Sequence, residues 1–380
     1  MIPVEAIALF VLFFYCLMMW YFAYGIPRSG EFCVEDAMHE ESLPGISVVV
    51  AARNESNTIT GLLDALNRQR GAGVQWEVIV ADDHSTDDTA AVCSSFRAHY
   101  PLTVVQLRGA GIPSGKKSAL DEGIRRSKYS VILITDADTR PPEGWIASYR
   151  NTFADPVCTF AAGLVRLEGN ITGMQAVGVL DFYGLVGAAA GAAGRGWPFM
   201  CNGANMGFRK EHYHKSGGME KHLHLSSGDD VMLLHQFIKR FGASTVRWLV
   251  HPSATVETKP PDTFGGLIRQ RVRWASKSKG YKNGTSIAVA TTVLLANLAV
   301  VGATLMALSG VTGWLLAGSL VSLKMVADFP LLLKTTRLFR QTHLMWWYVP
   351  SSLLYPWYTT AAGLLSLAWK PVWKGRNIKA

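Results

Sequence analysis

At 380 residues with a net charge of +9, the chain has room for one sizeable domain plus membrane segments, or for two soluble domains. Three long uncharged runs, residues 6–27, 283–323 and 344–369, argue against a wholly water-soluble protein, since a bilayer core takes roughly 20 apolar residues per helix. Cys16, Cys33, Cys93, Cys158 and Cys201 show neither metal-ligand spacing nor a paired framework, which fits reducing surroundings.

The first run reads as one uncleaved anchor over 1–27, because Glu5 stands where a signal peptide carries basic residues and no small-residue cleavage site follows. Downstream, "GISVVVAARNES" predicts a strand over 46–51 and then an amphipathic helix through "ITGLLDALNRQ". "WEVIVADDHSTDDT" repeats that pattern around 78–80. The strand "LTVVQL", the Gly-rich loop "RGAGIPSGKK", a helix through "SALDEGIRRS" and the strand "SVILIT" complete the series. Strands alternating with helices argue for an α/β fold with a mixed, mostly parallel sheet, here over 43–260.

Such sheets bind ligands beyond the carboxyl ends of their strands. Glu55, Asp82 with Asp83, and Asp136 with Asp138 all fall there, so topology predicts that these carboxylates cluster. An Asp-x-Asp at a strand end could hold a hard divalent cation, Mg²⁺ or Mn²⁺, shared with substrate phosphates. An Asp- and Pro-rich turn gives the same letters without a metal. "SGKKSALDEG" fails as a P-loop, since Ala110 and Lys117 stand where Gly and Ser or Thr are required. Lys116 and Lys117 are then either donor-site cations or solvated loop charges.

"GMQAVGVLDFYGLVGAA", residues 173–189, reads as an amphipathic helix that lies on the bilayer, lines an acceptor route or packs in a core. "SSGDDVMLLHQFIKR" starts another amphipathic helix with Asp229 and Asp230, either an acidic cap on the helix dipole or a general base at the sheet's mouth. "RQRVRW" fits a basic interfacial helix over 261–285 with an aromatic anchor.

The second run predicts two helices turning at Ser309 and Gly310. The third, interrupted by Pro350 and Pro356, is either one kinked span or a pair of re-entrant pieces, within a helical region 286–369 followed by a basic tail, 370–380. Arg269, Arg271, Arg273, Lys277, Lys279 and Lys282, then Lys334, Arg337 and Arg340, flank these runs and place the soluble part in the cytoplasm. Lys370, Lys374, Arg376 and Lys379 oppose that reading if the third run crosses fully. A bilayer surface and a phosphorylated substrate explain the positive charge better than nucleic acid does. Lys324 and Asp328, four residues apart, read as an intrahelical pair more than as a transport pathway.

Taken together, "VVVAARNES", "VIVADDHSTDDT", "GKKSALDEG", "ITDADTRP", "MCNGANMGFRK", "GDDVMLLH" and "QRVRW" resemble, in order and spacing, the membrane-bound family 2 glycosyltransferases, inverting enzymes of the GT-A fold. The resemblance implies that Asp82 and Asp83 meet the base and ribose of a nucleotide sugar, commonly a uridine diphosphate sugar, with Glu55 and Lys116 near the donor. It implies Asp136 and Asp138 as metal site, with Asp138 the more direct ligand, and Asp230 as catalytic base beside Asp229. Gln270, Arg273 and Trp274 match its Q-x-x-R-W motif, the Arg facing the diphosphate and the Trp the acceptor. Asn202, Gly203 and Asn205 fit either an acceptor-pocket floor or a Gly-rich turn. Asp229 and His84 depart from the family's usual Glu and Gly. Related sequences glycosylate membrane lipids or polymerise glycans, and a single helix before the catalytic region favours a lipid acceptor. A sugar-nucleotide-binding scaffold without turnover is the non-enzymatic alternative.

Overall fold

The computed structural model describes residues 4–27, 43–71, 73, 75–108, 113–219, 228–277, 280, 283–368, 372–373 and 376–377. In chain order, helix α1 (Val4–Gly25) leads to β1 (Ile46–Ala52), α2 (Ile59–Asn67), β2 (Trp76–Asp82), α3 (Thr89–Ser95), β3 (Leu102–Gln106), α4 (Lys116–Arg126), β4 (Val131–Asp136) and α5 (Trp145–Thr152). Then come β5 (Phe160–Gly163), β6 (Val165–Leu167), α6 (Met174–Gly194), β7 (Met206–Arg209), α7 (Lys210–Ser216), α8 (Asp229–Phe241), β8 (Val246–Leu249) and β9 (Val256–Thr258). Helices α9 (Phe264–Lys277), α10 (Gly284–Leu308), α11 (Trp314–Leu338) and α12 (Tyr348–Ala368) follow.

The main sheet has seven strands in the order β3-β2-β1-β4-β7-β5-β8. β1, β2, β3 and β4 are parallel, and β7 runs antiparallel between β4 and β5. Alternation sorts the central strands onto two cores. Val48, Val50, Val131 and Leu133 pack with α2 and α5, while Val49, Ile132 and Ile134 pack with α4, α6 and α8. Chain order reverses direction between β1 and β4, making that gap the switch point where a ligand crevice opens. β6 and β9 form a separate parallel pair. Neither this pair nor the antiparallel β7 follows from local pattern.

Among the described residues, four helices are long and apolar enough to cross a membrane: α1, α6, α10 and α11. The second uncharged run does turn near Ser309 and Gly310, where Gly310 takes φ +75°, but α11 continues well past 323. The third run is one α-helix, α12, with Pro356 inside it, preceded by a short 3₁₀ segment (Thr342–Trp347). Lys324 and Asp328 pair at 2.7 Å, and Tyr15 of α1 donates to Asp328 at 2.5 Å. Of the basic tail, Lys370, Lys374 and Lys379 lie outside the described residues, as do Cys33, Lys279 and Lys282.

Helix α6 is not amphipathic: apart from Gln175 and Asp181 it is apolar on every side, and 78% of its most apolar stretch is buried, against 28% for each of the other three, so it is a central packing element. It is held against α1 at a crossing of small residues. Gly191 packs directly on the Phe22 backbone, Gly194 on that of Gly25, and Gly187 on Thr335 of α11, and a Cβ at any of them would overlap these atoms. Overpacking typically costs about 1–3 kcal/mol. Gly191→Leu is therefore expected to lower the thermal unfolding midpoint of the detergent-solubilised protein by several degrees, whereas Gly302→Leu, where nothing lies within 4 Å, leaves it nearly unchanged. Equal midpoints would count against the crossing.

Candidate active site

The crevice is a cleft of about 890 Å³ that begins at the carboxyl ends of β1 and β4 and continues between α6, α9, α10 and α12. Register sets its floor: Ala51 lies opposite Asp136, so Glu55 just after β1 and Asp136 and Asp138 just after β4 share one end of the sheet. All three line the cleft, with Lys116, Asn202, Asp230, Gln270, Arg273 and Trp274. Nine predicted site residues therefore meet in one space.

Asp136 and Lys116 form an ion pair at 2.6 Å. Lys116 opens α4, and Lys117 beside it is buried, so neither is a solvated loop charge. The Asp138 side chain opens onto the cleft but is ringed by protein. That partial burial, with Asp136 and Glu55 nearby, pushes its carboxyl up to about 6, while Lys116 opposes the rise. Crowded carboxylates of this kind suit a divalent cation. Among the described residues no group of three or more His, Cys, Asp or Glu could enclose one. Two Asp carboxylates completed by substrate phosphates fit Mg²⁺ or Mn²⁺ chemistry.

Asp82 and Asp83 do not line the cleft. Both are buried at the end of β2, where the Ser85 hydroxyl donates to Asp82 and the Gly115 N–H donates to Asp83 at 2.9 Å. Burial pushes the Asp83 carboxyl up, against the lowering effect of that Gly115 N–H. His84, between them and Ser85, takes φ +57°, the left-handed conformation that favours glycine.

Gly228 precedes α8 at φ +85°, placing Asp229 and Asp230 on its first turn. The Asp229 side chain lies outside the described residues. Asp230 accepts from Val231 N–H at 2.8 Å and Gly203 N–H at 3.3 Å, which ties it to the turn before β7. In that turn Asn202 lines the cleft and Asn205 does not. Asn205 is wholly buried, accepting from Trp145 Nε1 and Tyr149 Oη, both at 2.9 Å, and donating to the Leu164 and Ala254 carbonyls at 2.7 and 2.8 Å. It is a strut behind the pocket.

Arg271, counted from sequence as a basic membrane flank, is buried. Its Nε lies 2.7 Å from Asp181 Oδ2 of α6, and its guanidinium stacks 4.4 Å from the Trp274 ring. Tyr358 of α12 donates to the same Asp181 at 2.6 Å. Motif reading missed this set, together with Asn297 and Thr360, which also line the cleft. One signal was available: Asp181 is the only charged residue within α6, and a lone charge in an apolar helix marks a functional or paired position.

Fold and cleft together define the GT-A class of glycosyltransferase. Residues 44–277 match the glycosyltransferase-like family 2, and the chain belongs to that family. Over 123 residues it is 35% identical to a β-monoglucosyldiacylglycerol synthase of Synechocystis sp., a match covering 32% of this chain and 25% of that protein. Over 245 residues it is 24% identical to a poly-β-1,6-N-acetyl-D-glucosamine synthase of Staphylococcus epidermidis, covering 62% of this chain and 55% of that protein. The matches thus span from a quarter to about half of these relatives' lengths. Its fold is similar to the mannosyltransferase PcManGT of Pyrobaculum calidifontis, solved with GDP-Man and Mn²⁺, over 96% of this chain and 99% of the other, with a TM-score of 0.61 and 18% identity.

The raised Asp138 carboxyl fixes the sign of a pH effect. Its protonated form is the one the ion-free fold favours, so the stability it lends is present at low pH and lost as pH rises through about 6. A cation needs the ionised form. With the carboxyl near 6, calorimetric Mn²⁺ affinity in the presence of a nucleoside diphosphate should fall about tenfold from pH 7.5 to pH 5. Asp138→Asn should weaken binding and flatten that dependence. A wild-type affinity that does not change across this range would contradict the assignment.

Proposed function

We propose that this protein transfers a single hexose, with inversion, from a nucleoside diphosphate sugar, with uridine as the expected base, to a hydroxyl of a membrane lipid. The observation that carries this is the continuity of the cleft. Its polar end holds Asp136, Asp138 and Lys116, and its far end runs between α10 and α12, neither of which contains a charged residue. An acceptor with an apolar body and a reactive hydroxyl fits both ends. The Synechocystis relative, named for a glucosyl diacylglycerol product, is in keeping with this; the staphylococcal one, named as a polymer synthase, supplies the competing reading.

In this reading Asp136 and Asp138 hold Mg²⁺ or Mn²⁺, which would offset charge on the departing diphosphate. Lys116 and Arg273 line the same space and add cationic stabilisation that strengthens as the leaving oxygen becomes charged. Asp230, oriented by the Gly203 N–H, takes the proton of the acceptor hydroxyl. The acceptor oxygen bonds to the anomeric carbon as the bond to the diphosphate oxygen breaks, and the single displacement inverts that carbon. Trp274, stacked on Arg271 and 6.0 Å from the Phe182 ring, walls the acceptor side. Basic residues flanking the helices, Arg337 and Arg340 among them, favour a cytoplasmic catalytic face.

The test is nucleoside diphosphate release by the purified protein across a panel of nucleotide sugars, with and without extracted membrane lipid. Release that requires Mg²⁺ or Mn²⁺ and lipid is expected, with Asp230→Asn lowering it at least about a hundredfold. A lengthening glycan in the absence of lipid would replace this reading with a polymerase. Nucleotide binding without any release would replace it with a scaffold.

A further inference from the structure

Asp181 is the one charged residue within α6, and it meets a line of residues on one side of α9. Leu267, Arg271 and Trp274 follow one another at helical spacing, which puts them on a single face. Each of them touches α6. Leu267 sits over Gly178, where an added Cβ would lie 3.1 Å from its Cδ1. The Arg271 Nε lies 2.7 Å from Asp181 Oδ2, and the Trp274 ring lies 6.0 Å from that of Phe182. The Arg271 guanidinium is also 4.4 Å from the Trp274 ring. From α12, Tyr358 donates to the same Asp181 oxygen at 2.6 Å. Asp181 and Arg271 are buried, whereas Trp274 is half-buried and lines the cleft.

From this geometry we infer that Asp181 is a positioning residue for the transfer reaction: with Tyr358 it pins the Arg271 guanidinium, and the pinned guanidinium sets the orientation of the Trp274 ring in the cleft wall. The inference rests on the reading that Trp274 walls the acceptor side, and it says what places that wall. Apolar contact through Leu267 is enough to seat α9 on α6, but such contact is non-directional and leaves a long arginine side chain many rotamers. A buried charge pair removes that choice, because any rotamer that separates the two charges strands both in an apolar layer. The fixed guanidinium then offers the indole a flat cationic face, on which stacking is favourable. As a source of stability the pair is weak, since apolar side chains of similar volume do as well or better in such places. What it adds is one orientation of one ring.

Two variants of the full-length protein in detergent test this. The double substitution Asp181→Leu, Arg271→Met exchanges the pair for apolar side chains and should unfold at or above the wild-type midpoint. Tyr358→Phe removes only the hydroxyl that donates to Asp181. It should move the same readouts in the same direction by less, and it carries the test if the double variant does not fold. Nucleoside diphosphate release is followed with extracted membrane lipid as acceptor. The lipid concentration for half-maximal release should rise about tenfold or more in the double variant, while that of the nucleotide sugar stays within about twofold of wild type. A second readout needs no turnover. In protein labelled with fluorotryptophan, the fluorine signal missing from Trp274→Phe belongs to Trp274, and its displacement between light and heavy water, a measure of contact with solvent, should grow in both variants. A displacement equal to that of wild type in the folded variants would overturn the inference. So would half-saturating lipid and nucleotide sugar that rise together, or that do not change. A wild-type protein that releases no nucleotide would sink the transfer reading, and the fluorine signal would then decide by itself whether Asp181 places the ring.

Discussion

The geometry of the cleft depends on one buried side-chain amide. Asn205 uses its full hydrogen-bonding capacity inside the protein, accepting from α5 through Trp145 and Tyr149 and donating to the carbonyls of Leu164 and Ala254. These partners lie on α5, on the link between β5 and β6, and on the segment before β9. The turn it anchors also bonds forward: the Ala204 carbonyl accepts from Thr135 Oγ1 at 2.8 Å, one residue before Asp136, and the Gly203 N–H reaches Asp230. The Asp-x-Asp end of β4 and the acidic head of α8 are thus registered through a single turn. A buried amide leaves all its partners unpaired if it moves, and each such group costs about 1–3 kcal/mol. The polar network is therefore a geometric constraint more than a large net source of stability.

Much of the fold was legible because it is local. The strands β1, β2 and β4 are buried on both faces, and their near-continuous Val and Ile runs say so directly. The carboxylates at their ends follow from chain direction alone. What could not be read is what long-range packing decides. "NMGFR" gives no sign that it inserts antiparallel between β4 and β5. The short segments "VRL" and "VET" pair only because the β5–β6 link and the β8–β9 link bring them together. Helix α6 was misread as amphipathic because it holds small and large apolar residues in irregular alternation, which a core helix surrounded on every side tolerates.

The site residues divide in the same way. Glu55, Asp136, Asp138 and Asp230 sit at element ends, where motif spacing alone is enough to bring them to one cleft. Asp82 and Asp83 lie at an element end too, yet their side chains face inward onto Ser85 and Gly115, a distinction set by loop packing that no spacing carries. Asn205 and Asn202 are three letters apart in one motif, and only the strand register tells the strut from the cleft residue. Arg271 stands among four other basic residues between 269 and 279, and its buried partner, Asp181, lies ninety positions earlier.

The crossing of α1 with α6 has a consequence for how the bilayer bears on the cleft. At 22 residues, α1 is about 33 Å long, close to the thickness of a hydrocarbon core. A thinner or thicker membrane adjusts such a helix by tilting it. Because the backbones touch through Gly191 and Gly194, a tilt of α1 has no compliant layer of side chains to absorb it. It passes to α6, whose opposite side carries Asp181, Phe182 and Val186 into the cleft wall. The first helix lines no part of the cleft, yet through that backbone contact it is the support against which the cleft-lining helix rests.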